Sequence, residues 1–175
     1  MRKNKIIVKK AWWMIGVSLV VYHLMFSVSA CSSIECPVEN TVATNYQVCG
    51  PDGTATAMSD TLWVLTRRSD GVDTLLLSYF VGQTTFSLPI SYSHPEDELL
   101  FVTADTTGTF TVDTVWLKKD DIPHFESVDC PAHFFHKLTG ARCTRHALDS
   151  IRIVNTRVDY DPRRTHLQLY FKHHE

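Results

Sequence analysis

TLWVLTRRSDGVDTLLLSYF, residues 61–80, decides the fold class. Thr61 to Arg67 and Val72 to Phe80 are short runs rich in Leu, Val and aromatic residues, and Ser69-Asp70-Gly71 between them carries the chemistry of a tight hairpin turn. Leu62, Trp63, Val64 and Leu65 in the first run, and Leu75, Leu76 and Leu77 in the second, make both strands apolar on both faces.

Strand patterns continue in both directions. Upstream, Thr41 to Cys49 alternates, with Val42, Thr44, Tyr46 and Val48 on one face, and Gly50-Pro51-Asp52-Gly53 ends it in a turn. Downstream, Thr85 to Ile90 sets Phe86, Leu88 and Ile90 on one side, and Pro89 marks an edge or a strand end. His94 to Glu98 interrupts as a charged loop or single helical turn before Leu99 to Ala104 resumes, and Asp105 to Gly108 turns again. Thr109 to Lys118 predicts a strand with Phe110, Val112, Thr114 and Trp116 inward. In Leu148 to Tyr160 the apolar phase shifts from Ile151 and Ile153 to Val154 and Val158, which predicts a bulge. Asp161 to Arg164 turns, and His166 to Lys172 closes the chain with Leu167, Leu169 and Phe171 inward. After Cys31 no stretch sustains a helical period beyond about two turns. The expectation is an all-β fold, a single antiparallel β-sandwich of immunoglobulin-like architecture over residues 41–175.

The N-terminus reads differently. Arg2, Lys3, Lys5, Lys9 and Lys10 precede an apolar stretch from Ala11 to Phe26, and Val28-Ser29-Ala30 sets small residues directly before Cys31. This resembles a bacterial lipobox, with Val28 where Leu is commoner. Residues 1–30 are then a helical signal peptide, Cys31 the lipidated first residue of the mature chain, and 31–40 a tether. Ala11 to Ala30 is also just long enough to span a bilayer, but an anchor leaves the small residues before the cysteine unexplained. Two or three acyl chains, at about 0.8 kcal/mol per buried methylene, hold a protein to a membrane essentially permanently. Ser32-Ser33-Ile34-Glu35 lacks an acidic run, which leans towards an outer-membrane location facing the periplasm.

Removing the signal takes away five basic residues and no acids, so the formal charge moves from −2 to −7. An acidic domain with scattered Lys and Arg lacks the concentrated basic face that nucleic acid requires. Cysteine arithmetic agrees with the lipobox. With Cys31 acylated, Cys36, Cys49, Cys130 and Cys143 remain, an even set of disulfide candidates in an oxidising compartment. Spacing leaves all three connectivities open, and the absence of any Cys-x-x-Cys pair argues against zinc.

Catalytic and ligand signatures are missing. His133 and His136 share a face only on a helix, and on a strand they point to opposite sides. Neither they nor the terminal His173-His174 forms a His-Glu-x-x-His motif, so no metal site is expected. Glu96-Asp97-Glu98 and Asp120-Asp121 lack a calcium-loop pattern and read as solvated loops. There is no Gly-x-Ser-x-Gly and no phosphate-cradling glycine loop, and no cofactor is implied. Asp60, Asp73, Asp113 and Asp149, each followed by Thr or Ser, are read as polar residues satisfying backbone groups at strand starts. Tyr79, Phe80, Tyr92 and Tyr170 offer rings that would stack on a sugar if exposed.

Phe125-Glu126-Ser127-Val128-Asp129-Cys130, the stretch Thr144 to Asn155, and the closing His166-to-Phe171 strand resemble an uncharacterised family of small β-rich lipoproteins from Bacteroidetes. The resemblance spans most of the mature chain. It implies Cys36–Cys130 and Cys49–Cys143 pairing, and it supplies no catalytic residues. The expected function is that of a non-enzymatic envelope lipoprotein, a binding or assembly module held to the membrane through Cys31, with an envelope protein as partner. The alternative is a small carbohydrate-binding or glycan-hydrolysing domain, its small-molecule ligand unknown.

Overall fold

The structure, a computed structural model, describes residues 42–67, 71–125, 130 and 133–172, with isolated residues 16, 18 and 22. The chain divides into two compact units, Met1–Cys36 and Pro37–Glu175, and every strand among the described residues belongs to the second. The expected signal peptide and tether lie almost wholly outside the described residues. Among the described residues no helix is long and apolar enough to cross a membrane.

The second unit is all-β. Its strands are β1 (Ala43–Cys49), β2 (Thr61–Arg67), β3 (Asp73–Phe80), β4 (Thr85–Pro89), β5 (Glu96–Ala104), β6 (Phe110–His124), β7 (His133–Cys143), β8 (Leu148–Ile153), β9 (Arg157–Val158) and β10 (Leu167–Phe171). A four-stranded sheet runs β4-β1-β10-β8 and a six-stranded sheet runs β3-β2-β5-β6-β7-β9. One core joins them: Tyr46, Val48, Phe86, Leu88, Leu148, Leu167 and Leu169 of the first sheet meet Leu62, Val64, Leu99, Phe101, Val115, Leu117 and Leu138 of the second. The rings of Tyr46 and Phe86 stack 5.0 Å apart, and both contact Phe101 across the layer. Each such side chain contributes about 1.5–3 kcal/mol by leaving water.

β1, β4 and β10 take the predicted phase, and Pro89 ends β4 at a sheet edge. The ladders are not all antiparallel: β1 and β10 run parallel, with Tyr46 opposite Leu167 and Cys49 opposite Tyr170. Leu148 to Tyr160 is not one bulged strand. β8 ends at Ile153, and the chain re-enters the other sheet as β9, where Val158 is buried beside His136.

The largest correction concerns β6. Phe110 and Val112 are 66% and 48% exposed, and the inward residues are Asp113, Val115, Leu117 and Lys119. Asp113 explains the inversion. Its Oδ1 accepts from Thr144 Oγ1 and the His146 amide, both at 2.7 Å, and its Oδ2 accepts from the Ala147 and Leu148 amides at 2.7 and 2.8 Å. Thr144 in turn exchanges two bonds with the Thr114 backbone. A carboxylate so bonded is stable inside. Asp113 therefore does satisfy strand-start amides, but those of β8, over thirty residues away.

Asp113→Ala should cost about 3 kcal/mol or more, because it strands buried amides and leaves a cavity. Urea denaturation checks this; a loss below about 1 kcal/mol would show that the staple is dispensable.

Candidate binding face and interior polar cluster

Inverting β6 builds a surface. Cross-strand register sets Trp63, Val102 and Val112 in one row on the outer face of the six-stranded sheet, and Leu65, Leu100 and Thr114 in the next. Leu75 of β3, 52% exposed, extends the second row opposite Leu65. Trp63 contacts Tyr79 edge-on at 6.2 Å and Phe110, which pairs with the small Ala104, at 6.0 Å. Lower on the face, the Arg142 guanidinium lies 3.9 Å from the Trp116 ring centroid. Charged groups stand at the margin and neutralise one another: Arg67 meets Asp73 at 3.5 Å and Glu98 at 3.6 Å, and Arg142 meets Glu96 at 3.2 Å.

Tyr79 is held there against its backbone preference. Its φ of 56° lies in the left-handed region, at a register irregularity between β2 and β3, yet the residue is 69% exposed. That conformation costs a non-glycine residue roughly 1–2 kcal/mol, and a glycine would serve the bulge better. Of the other aromatics singled out from the sequence, Tyr92 stacks on Phe134 while remaining exposed, and Phe80 is core. Tyr170 lines a shallow cavity of about 910 Å³ with Cys49, Arg152 and Lys172.

Inside the fold, Lys119 and His136 converge on Asp121. Nζ of Lys119, fully buried, donates to Asp121 Oδ1 at 3.2 Å and to the His94 carbonyl, and His136 Nδ1 donates to the same carboxylate oxygen at 2.7 Å. Asp97 accepts from the Ser91 amide at 3.2 Å and borders a polar cleft of about 440 Å³. Burial holds the Asp97 carboxyl above its usual range and the His136 imidazole below its own; burial, then the Asp97 charge, pushes the Tyr46 phenol far up. Shifted groups of this kind mark functional sites. Here, however, the ammonium fills the place a cation would take, and Lys119 and His136 are sealed from solvent. The cluster latches the 91–95 loop to the sheet, with the Lys119 amide also bonded to the Pro95 carbonyl. Among the described residues no group of three His, Cys, Asp or Glu gathers to hold a metal.

The cysteines divide. Cys130 is disulfide-bonded, Cys49 and Cys143 are free, and Cys31 and Cys36 lie outside the described residues. The implied Cys49–Cys143 bond is thus not formed. Cys49 shares the outer face of its sheet with Gln47, 3.8 Å from Oε1, whereas Cys143 packs inward from the other sheet, and opposed faces cannot be bridged. Burial raises both thiols' pKa values and keeps them protonated. His133 and His136 do point to opposite sides of a strand, and His166, not noticed in the sequence, is a neutral core linker. Its Nδ1 accepts from the Asn45 amide at 3.0 Å and its Nε2 donates to the Arg157 carbonyl at 3.1 Å.

Fold and face define a small two-sheet β protein with an aromatic and aliphatic surface and no assembled catalytic centre among the described residues. The chain belongs to a family of unknown function, DUF6452, whose model matches residues 61–171, from the start of β2 to the end of β10. No curated protein and no solved structure matches it.

Two predictions follow from these geometries. Burial lowers the folded pKa of His136 and, with Arg164 adding to it, of His166, so the unfolded chain takes up protons first as pH falls below about 6.5. Their contribution is complete above that pH and is lost on descending through the folded values; Asp97, shifted the other way, offsets part of the loss only nearer its own range. The urea midpoint should drop between about pH 7 and 5, and a flat profile would reject this assignment. Separately, Tyr79→Gly should be more stable than Tyr79→Ala by about 1 kcal/mol, since only glycine relieves the left-handed strain. Equal thermal midpoints for the two variants would contradict it.

Proposed function

We propose that this chain is an envelope lipoprotein, anchored through acyl chains on Cys31 at the outer membrane with its β domain facing the periplasm. That domain is a non-enzymatic module that docks a protein partner on the outer face of the six-stranded sheet. One observation carries the reading: Trp63, Leu65, Leu75, Leu100, Val102, Phe110 and Val112 occupy the solvent side of a sheet that already buries its other face. Soluble sandwiches normally place polar residues there. Interface cores favour Trp, Tyr, Phe and Arg and exclude Lys and acids, and this face keeps its acids at a self-neutralised margin. Tyr79 supports the same reading, since strain kept at an exposed ring serves no folding purpose. A glycan platform would use the same Tyr79, Trp63 and Phe110 rings, but Leu65, Leu100 and Val102 between them offer no groups for sugar hydroxyls.

The two-layer packing supports an immunoglobulin-like reading of the fold, with ten strands against the seven of a constant-type domain. The resemblance to the lipoprotein family implies Cys36 as the partner of Cys130, while Cys49 and Cys143 are free.

Palmitate labelling of the wild type against Cys31→Ala tests the anchor: the variant should lose all label, and equal labelling would overturn it. A photocrosslinker at position 63 in the native envelope should give a discrete protein adduct that a probe at Ser87, on the other sheet, does not. Adducts with glycan alone, or the same products from both positions, would reject the docking face.

A further inference from the structure

We propose that His124 and His133 form a two-histidine site for a borderline divalent transition-metal ion, with Cu²⁺ the tightest binder. The hairpin register places them directly opposite each other at the loop end of the β6–β7 ladder. Opposite residues of an antiparallel pair have Cβ atoms about 4.5–5.5 Å apart, and their side chains leave the same face. Metal–nitrogen bonds of about 2.0–2.1 Å bring two ring nitrogens to roughly 3 Å from each other, within reach of opposed imidazoles by side-chain rotation.

The surroundings hold both rings on one side. Each meets the Tyr160 ring edge-on, His124 at 6.0 Å and His133 at 6.2 Å, and His124 stacks on Phe135 at 4.3 Å. The imidazoles of His136 and His166 are fully buried and hydrogen-bonded into the fold. By contrast, His124 and His133 are half-buried, and neither ring forms a hydrogen bond with another described residue. Ring packing alone would be served by phenylalanine, as at Phe134 and Phe135 beside them. Imidazole selects copper, zinc or nickel over calcium or magnesium, and the Irving–Williams order puts Cu²⁺ first. Two protein ligands leave coordination positions open to water or to a donor from another molecule, which suits an ion that is exchanged rather than retained.

The site is independent of the docking face and of Cys31. Its test uses the full chain with His173→Ala and His174→Ala, so that the terminal histidines do not chelate. Cu²⁺ titration against a competing chelator, with electron paramagnetic resonance, should show one saturable ion per chain with two nitrogen ligands, undisturbed by excess Ca²⁺. His124→Phe and His133→Phe retain the ring packing on Tyr160. Each should weaken binding at least about tenfold, and the double variant little further, as expected for ligands that act together. Circular dichroism of each variant confirms that the hairpin has folded. An adventitious ion only, bound without saturation or equally tightly by both phenylalanine variants, would overturn the proposal.

Discussion

The carboxylate of Asp113 decides which way the central strand of the larger sheet faces. Four hydrogen bonds, three of them from amides entering β8, make this side chain cheaper to bury than to expose. Because side chains alternate along a strand, fixing one position fixes all: Val115 and Leu117 go to the core, and Phe110, Val112 and Trp116 go to the surface. The same bonds start β8, which lies beside β10 in the other sheet. Asp113 thus sets the phase of one sheet and ties it to the edge of the other. Its pKa is depressed by those bonds in spite of burial, so the staple persists until the pH falls below the usual carboxylate range.

This also explains what the sequence showed and what it concealed. β1, β4 and β10 belong to the smaller sheet, where apolar residues face in and Asn45, Gln47, Ser87 and Gln168 face out, so alternation alone gave their phase. β6 offers Phe110, Val112, Thr114 and Trp116 on one face and Thr111, Asp113, Val115 and Leu117 on the other. Counting apolar residues favours the wrong face, because Asp113's partners begin at Thr144, far beyond any local window. β7 was invisible for a related reason. Lys137, Thr139 and Gly140 dilute its pattern, and the register shift opposite Lys118 and Lys119 breaks the period. The parallel pairing of β1 with β10 joins the ends of the chain, and alternation carries no information on which strands become neighbours.

Polar residues inside the fold share a logic that composition could not disclose. Asp97, Asp120 and Asp121 read as solvated loop acids, yet Asp121 accepts hydrogen bonds from Lys119 and His136, and Asp97 is buried where it feels the Lys119 charge. Removing one partner from such a set costs more than the set contributes, because the remaining charge has no solvent to turn to. That asymmetry makes the cluster a constraint on register rather than a large source of stability: a one-residue slip of β6 against β5 would carry Lys119 out and leave Asp97 buried without compensation.

The histidines show how far a side chain's meaning depends on its strand partner. In the sequence His133 stands nearest to His136, and a β-strand turns those two to opposite faces. One goes to Asp121 in the interior, and the other meets His124, nine residues earlier, across the hairpin. Cys130, which lies between the two strands in sequence, is disulfide-bonded, and a cross-link removes freedom from the unfolded chain. An ion shared by opposed residues closes the β6–β7 ladder from the side-chain layer. It acts at the end of the longest hairpin, beyond β5, where β6 has only β7 beside it. A two-stranded ribbon is marginal in water without such support. The paired imidazoles therefore lie where the backbone ladder alone is weakest.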